Sequence, residues 1–298
     1  MSRKWIEQKE RSNPFTLKLI CWVALHIGRW FARIWLYPIT FYFYLTAPQA
    51  RKASKYYLQR CFPGRKITPL HVAKHIYWFA ATVLDRVYFM TDQYDYFEVK
   101  IDGLELLEKH IAEGNGCIVL GSHLGSFDVL RCLAIEKYGA PLKIMMYRDH
   151  NQMIVKIIDA LNPNISKSVI NLADDNALLR MKECLEQGEL IGMLGDRVAE
   201  SDKIVSCRLL GDETEFPSGP IRLAGILNVP VILFFGLYQG GNRYHIHFEK
   251  LADKIEFTQN NREEVIQAWM EKYVSRIEHH IKLSPYNWFN FYDYWHDE

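Results

Sequence analysis

The residues best suited to moving a proton lie in Gly116–Arg131, read as GCIVLGSHLGSFDVLR. His123 stands in a short loop after an apolar run ending at Gly121, and Asp128 follows five residues later in the first turn of an expected helix. Imidazole is the side chain whose ordinary pKa suits general-base work near neutral pH. A carboxylate at a helix N-terminus stays ionised because the helix dipole favours it. The pattern predicts that Asp128 accepts a hydrogen bond from one ring nitrogen of His123 and fixes its tautomer. The other nitrogen is then left to deprotonate a substrate hydroxyl. The spacing alone says little, since among eleven histidines about one such pair is expected by chance. Position carries more weight, because α/β proteins collect reactive groups at the C-terminal ends of their strands. On these residues alone, a core histidine beside a helix-start aspartate stays open as the alternative, and Ser126 reads as a helix N-cap.

The elements that must position this pair follow from the apolar pattern beyond about residue 93. Short β-like runs at 96–101, 117–120, 142–146, near Val169, and at 190–194, 204–209, 229–237 and 244–248 alternate with helical stretches. The helices are expected at 104–112, 127–138, 152–161, 174–186, 221–227 and 262–281. Such alternation predicts an α/β fold with a largely parallel central sheet flanked by helices. No repeat of 20–50 residues and no low-complexity linker divides this body.

Charge divides the chain differently. Residues 1–66 hold 13 Lys/Arg against 2 Glu, while residues 67–298 hold 23 basic against 33 acidic residues, and the whole carries only +1. That balance argues against a nucleic-acid binder and points to a basic arm (1–66) on an α/β domain (67–298). Between Phe15 and Leu36 the residues Lys18, His26, Arg29 and Arg33 fall in one narrow helical wedge, with Arg11 projecting into it. The rest of the circumference is almost all Leu, Ile, Val, Trp and Phe. The pattern predicts an amphipathic membrane anchor whose charges face anionic headgroups; a helix packed on the body is the alternative. Residues 34–50 lack formal charge but contain Pro38 and are flanked by positive charge on both sides. An interfacial or re-entrant anchor is therefore preferred over a single transmembrane pass.

Ser122-His123-Leu124-Gly125-Ser126-Phe127-Asp128 resembles the His-x4-Asp/Glu motif of the lysophospholipid acyltransferase superfamily, and its setting is similar to the bacterial lipid A late (secondary) acyltransferases. The similarity continues, in order, through Tyr147–Asn151, Gly195-Asp196-Arg197, Phe216–Pro220 and Pro285-Tyr286-Asn287-Trp288, and covers roughly residues 15–295. Asp128 stands where many lipid A enzymes have Glu, and Phe216–Pro220 lacks the superfamily's Glu. The resemblance implies transfer of a fatty acyl group from acyl carrier protein or coenzyme A, the carrier protein favoured, to a hydroxyl of a lipid acceptor, with no cofactor. It implies His123 and Asp128 as the catalytic pair, and Arg148, Asn151, Asp196, Arg197, Ser218 and Gly219 as substrate-binding residues. It further implies a place at the bacterial inner membrane with the catalytic domain on the cytoplasmic face. A lipid or thioester hydrolase is the competing enzyme class. Gly121–Gly125 has His where a Gly-x-Ser-x-Gly nucleophile elbow would have Ser, which weighs against it. A peripheral membrane scaffold is the competing non-enzyme class, and a dinucleotide fingerprint is absent.

Other reactive residues receive plainer readings. His245 and His247 share one face of a strand with no matched carboxylate, and His279-His280 near the end of a charged helix read as solvated. No metal site is expected. The six cysteines show no metal-ligand spacing and read as packing residues in a reducing compartment. The aromatic run 288–295 is left between lipid contact and packing on the arm.

Overall fold

A computed structural model describes residues 14–131, 141–146, 168–199 and 202–295. Strands β1 (Glu98–Asp102), β2 (Cys117–Gly121), β3 (Leu142–Met146), β4 (Val169–Asn171), β5 (Leu190–Leu194), β8 (Val231–Tyr238) and β9 (Arg243–Ala252) form one sheet in the order β1-β9-β8-β2-β5-β3-β4. Strands β6 (Ile204–Leu209) and β7 (Asp212–Pro217) pair separately as an antiparallel hairpin. The pairings β8–β2, β2–β5, β5–β3, β3–β4 and β1–β9 are parallel. Within this sheet, among the described residues, only β8 and β9 run antiparallel, because the turn joining them, with Gly240 and Gly241 at positive φ, is too short for a crossover.

The central strands read as unbroken apolar runs because both sheet faces are covered. All eight residues of β8 and all five of β2 are buried. Alternate residues feed two cores: Ile118, Leu120, Ile191 and Leu233 on one face, Cys117, Val119, Leu190 and Ile232 on the other. The described flanking helices are α5 (Leu104–Ala112), α6 (Asp128–Arg131), α7 (Ala177–Glu186), α8 (Gly219–Leu227) and α9 (Arg262–Leu283). The expected helix at 152–161 and the remainder of that at 127–138 lie outside the described residues. Strand β7 was not expected, since its DETEFP sequence offers little apolar alternation.

The N-terminal region folds as α1 (Pro14–His26), α2 (Arg29–Thr46), α3 (Pro48–Cys61) and α4 (Pro69–Met90). A break at Gly28, whose φ is +114°, divides the expected 15–36 helix in two. Among the described residues no helix is long and apolar enough to cross a membrane. Two cations of the expected basic wedge, Arg29 and Arg33, face the protein, whereas His26 of the same wedge is exposed. Arg29 makes a two-pronged ion pair with buried Asp85 of α4 at 2.8 and 2.9 Å. Arg33 donates to the Tyr238 hydroxyl at 2.7 Å. These cations face the protein because Asp85, fully buried, requires a paired charge. The outward stripe of α2 is instead Trp30, Ile34, Tyr37, Phe41 and Leu45, all exposed, at helical spacing.

Candidate active site

Strands β2 and β5 are adjacent and parallel, so their C-terminal ends bring together Gly121 and Leu194 and the loops that follow them. The Gly121 carbonyl accepts hydrogen bonds from Gly195 N at 3.0 Å and the Tyr273 hydroxyl at 2.7 Å, which ties the two loops to each other and to α9. Beyond Gly121 the chain runs through an antiparallel bridge between Leu124 and Trp288 and a parallel one between Gly125 and Gly236. Gly125 has φ +82°, and a Cβ there would sit 2.0 Å from the Gly236 carbonyl oxygen, so only glycine lets these backbones meet.

This loop presents His123 to the Asp196 carboxylate. The ring Nδ1 lies 2.7 Å from Asp196 Oδ1, and the His123 backbone N–H lies 3.0 Å from both carboxylate oxygens. Trp288 Nε1 and Asn290 Nδ2 donate to Oδ2 at 3.2 and 3.0 Å, and the Tyr294 hydroxyl donates to the Asp196 carbonyl at 2.6 Å. Burial acts to raise the Asp196 pKa, but the charge and hydrogen bonds of His123 and the charge of Arg197 outweigh it and hold it at about 2. Asp196 is thus a buried carboxylate that stays ionised. A hydrogen bond from Nδ1–H to it leaves Nε2 as the unprotonated nitrogen. Nε2 makes no hydrogen bond among the described residues, and about a quarter of the His123 side chain is exposed. Burial and the Arg197 charge hold the His123 pKa below its ordinary value, against the opposing pull of Asp196. The ring is therefore neutral at pH 7 and competent to take a proton.

The model of the bacterial lipid A biosynthesis acyltransferases matches residues 20–297, nearly the whole chain. The chain belongs to this family. A search of curated proteins returned no match.

In this lipid A acyltransferase family member, the partner expected for His123 is replaced by another. Asp128 places its carboxylate on Arg86 Nε at 2.7 Å, and Asp196, expected to contact substrate, orients the imidazole. The reason is geometric: Asp128 follows the loop into α6, which packs on α4, whereas Asp196 lies two residues beyond β5, the strand next to β2. Asp128 still bears on the site, because Arg86 is one of the charges that lower the His123 pKa.

Arg197, expected to bind substrate, has partners within the chain. It donates through Nε to Asn290 Oδ1 at 2.8 Å and through Nη2 to the Phe289 carbonyl at 3.0 Å, and so fastens the C-terminal segment beside Asp196. Ser218 is buried and donates to the Lys203 carbonyl at 2.8 Å while accepting from Arg222, so it does not cap α8. Gly219 follows it as the first residue of α8, and Pro220 of that turn lies against Gly195. Arg148 and Asn151 lie outside the described residues. Ser126, expected as an N-cap, has a buried hydroxyl without a hydrogen-bond partner among the described residues, as does Ser122.

Several contributors were not singled out from the sequence. The run 288–295 packs in part on the arm, with the Trp288 ring 5.2 Å from that of Tyr57 and Arg60 over the Trp295 ring at 4.4 Å; Trp288 is fully buried beneath the loop, and Phe289 N donates to the His123 carbonyl at 2.8 Å. Asn287 exchanges hydrogen bonds with both backbone groups of Tyr238, locking the segment to the end of β8. Buried His75 of α4 bonds Ser54 at 2.8 Å and the Trp288 carbonyl at 2.9 Å. The available signals were Pro285–Trp288, whose likeness to the family was visible without its role, and the Gly195-Asp196 pair that follows β5.

Proposed function

We propose that the chain transfers a fatty acyl group from an acyl thioester to a hydroxyl of a lipid acceptor, with His123 as general base. The observation that carries this reading is the His123–Asp196 contact, in which an ionised buried carboxylate orients a neutral, partly exposed imidazole at the end of β2. Nε2 takes the proton of the acceptor hydroxyl as its oxygen attacks the thioester carbonyl carbon. Asp196 stabilises the imidazolium that forms. The tetrahedral intermediate then expels the thiolate, which takes the proton back from His123, so the ester forms without a covalent acyl-enzyme. A thioester is already activated, and no nucleophilic side chain is needed. The donor is acyl carrier protein or coenzyme A, the carrier protein favoured, and the acceptor is a lipid A precursor or a related bacterial glycolipid or aminolipid.

The exposed aromatic stripe of α2 supports attachment to a bilayer surface, at the cytoplasmic face of the bacterial inner membrane, where such acceptors are assembled. A row of large apolar side chains this long is uncommon on a soluble monomer and marks a membrane or protein contact.

The test is acyl transfer by purified protein in detergent micelles, with and without lipid acceptor. His123→Ala is expected to lower transfer by about 10²–10⁴-fold with an unchanged melting temperature. A near wild-type rate in that variant rejects the base assignment. Release of free fatty acid at equal rate with and without acceptor would favour the hydrolase reading instead.

A further inference from the structure

A second cluster of titratable groups lies on the sheet's outer strands, apart from the His123 site. His245 and His247, two residues apart on β9, project to one face, and the parallel register of β1 sets Asp102 directly beside His247. His245 Nε2 lies 2.7 Å and His247 Nδ1 3.5 Å from the same oxygen, Asp102 Oδ2. One donor atom from each of the three residues falls within 4.8 Å of the others. The expectation that these histidines lack a carboxylate was drawn within β9 alone, and the missing partner comes from the neighbouring strand.

We infer that Asp102, His245 and His247 bind a divalent transition-metal ion of the zinc type. Two imidazoles and a carboxylate are a donor set that suits zinc and its neighbours, with water completing the shell. At metal–ligand bonds of about 2.1 Å, donor atoms of a tetrahedron stand about 3.4 Å apart. The observed 2.7 and 3.5 Å approaches bracket that value, and all three donors lie within 4.8 Å of one another, so side-chain rotation alone could bring them onto one ion. Lys100 Nζ lies 3.5 Å from Asp102 Oδ1, which leaves the oxygen facing the histidines to the ion.

The surroundings supply outer support. The His247 ring stands 4.7 Å from that of His280, which is buried and held through Nε2 by Glu249 at 2.8 Å, with Arg276 on the same carboxylate. The bound ion would clamp outer strand β1 to β9, adding to the backbone ladder and the His245–Asp102 contact that join them.

The test uses the full chain in detergent, free of any affinity tag and stripped with chelator, titrated with Zn²⁺ by calorimetry and with Co²⁺ by visible absorption. The wild type is expected to bind one Zn²⁺, to melt higher with it, and to give the intense Co²⁺ ligand-field bands of a four-coordinate site. His247→Ala and Asp102→Asn should each weaken Zn²⁺ binding by about tenfold or more and abolish the bands, with the metal-free melting temperature as the folding control. Because Asp102 and His245 are partly exposed, His245→Gln serves as the milder variant. Equal affinity and equal Co²⁺ spectra in wild type and variants, or no bound metal in the wild type, overturn the assignment. All readouts are independent of acyl transfer.

Discussion

Asp196 is surrounded by donors: the backbone and ring N–H of His123, the Trp288 indole and the Asn290 amide all point at its two oxygens. Asp196→Asn would turn an NH₂ towards some of these donors and remove the charge that stabilises the imidazolium. The expected result is a fall in kcat of about 10²–10⁴-fold with little change in KM, read by steady-state kinetics alongside thermal melting. The pH profile follows from the same contacts. As the proposed base His123 acts only when neutral, and burial and Arg197 depress its pKa. The rate should therefore fall on the acid side through a pKa below the ordinary 6.5. Asp196→Asn should move that limb to still lower pH, since Asp196 pulls the pKa upward. His75 gives a stability counterpart. Burial holds its pKa at about 4, so below about 6.5 the unfolded chain binds a proton that the folded chain refuses. Stability is then complete above pH 6.5 and lost as pH falls towards 4, by on the order of 3 kcal/mol. His75→Gln, which keeps a donor for Trp288 and an acceptor for Ser54, should flatten that decline in melting temperature. An unchanged slope would show that His75 titrates normally.

The elements that build the site are a strand pair and a terminal segment. The residues immediately following β2 supply His123, the proposed base, those following β5 supply its carboxylate partner Asp196, and Pro285–Tyr294 closes them from beneath. Trp288→Phe tests the segment by keeping an aromatic ring while removing the indole N–H on Asp196. It should cost about 1–2 kcal/mol in chemical denaturation and lower kcat. A variant with wild-type stability and rate would make the indole bond incidental. The strands were legible in the sequence because 117–121, 142–146, 190–194 and 231–238 are apolar runs bounded by turn residues, and His123 was legible from its place after one of them. The identity of its partner was not. Asp196 lies 73 residues away, and only the sheet order puts β5 beside β2. Asp128, close in sequence, was the nearest carboxylate on paper, but the turn into α6 carries it to Arg86. In the same way β1 and β9 are far apart in the chain, so the carboxylate of His245 and His247 could not be read from local pattern.

At the scale of the whole molecule, helix α2 turns inward the two cations, Arg29 and Arg33, that helical periodicity alone set towards headgroups. A wedge of cations reads equally well as headgroup-facing or body-facing, and what decides it is Asp85, which sits fully buried on α4 where Arg29 can reach it. Once Arg29 and Arg33 turn inward, the opposite side of α2 carries Trp30, Ile34, Tyr37, Phe41 and Leu45 outward, flanked by Trp22 and Trp35. Burial of such side chains is worth roughly 1.5–3 kcal/mol each when complete, whereas an exposed Lys or Arg near an anionic leaflet adds about 1 kcal/mol. Attachment through this face should therefore depend chiefly on the aromatic stripe. In a flotation assay with vesicles of mixed zwitterionic and anionic lipid, Trp30→Ser combined with Phe41→Ser is expected to reduce binding by tenfold or more at constant stability, since both side chains are exposed. Arg33→Gln should leave vesicle binding unchanged while lowering the melting temperature, because it removes the cation donating to Tyr238. If Arg33→Gln released the protein from vesicles and the aromatic pair did not, the cationic face would be the one that meets the lipid, and the inward orientation of α2 would not describe the bound state.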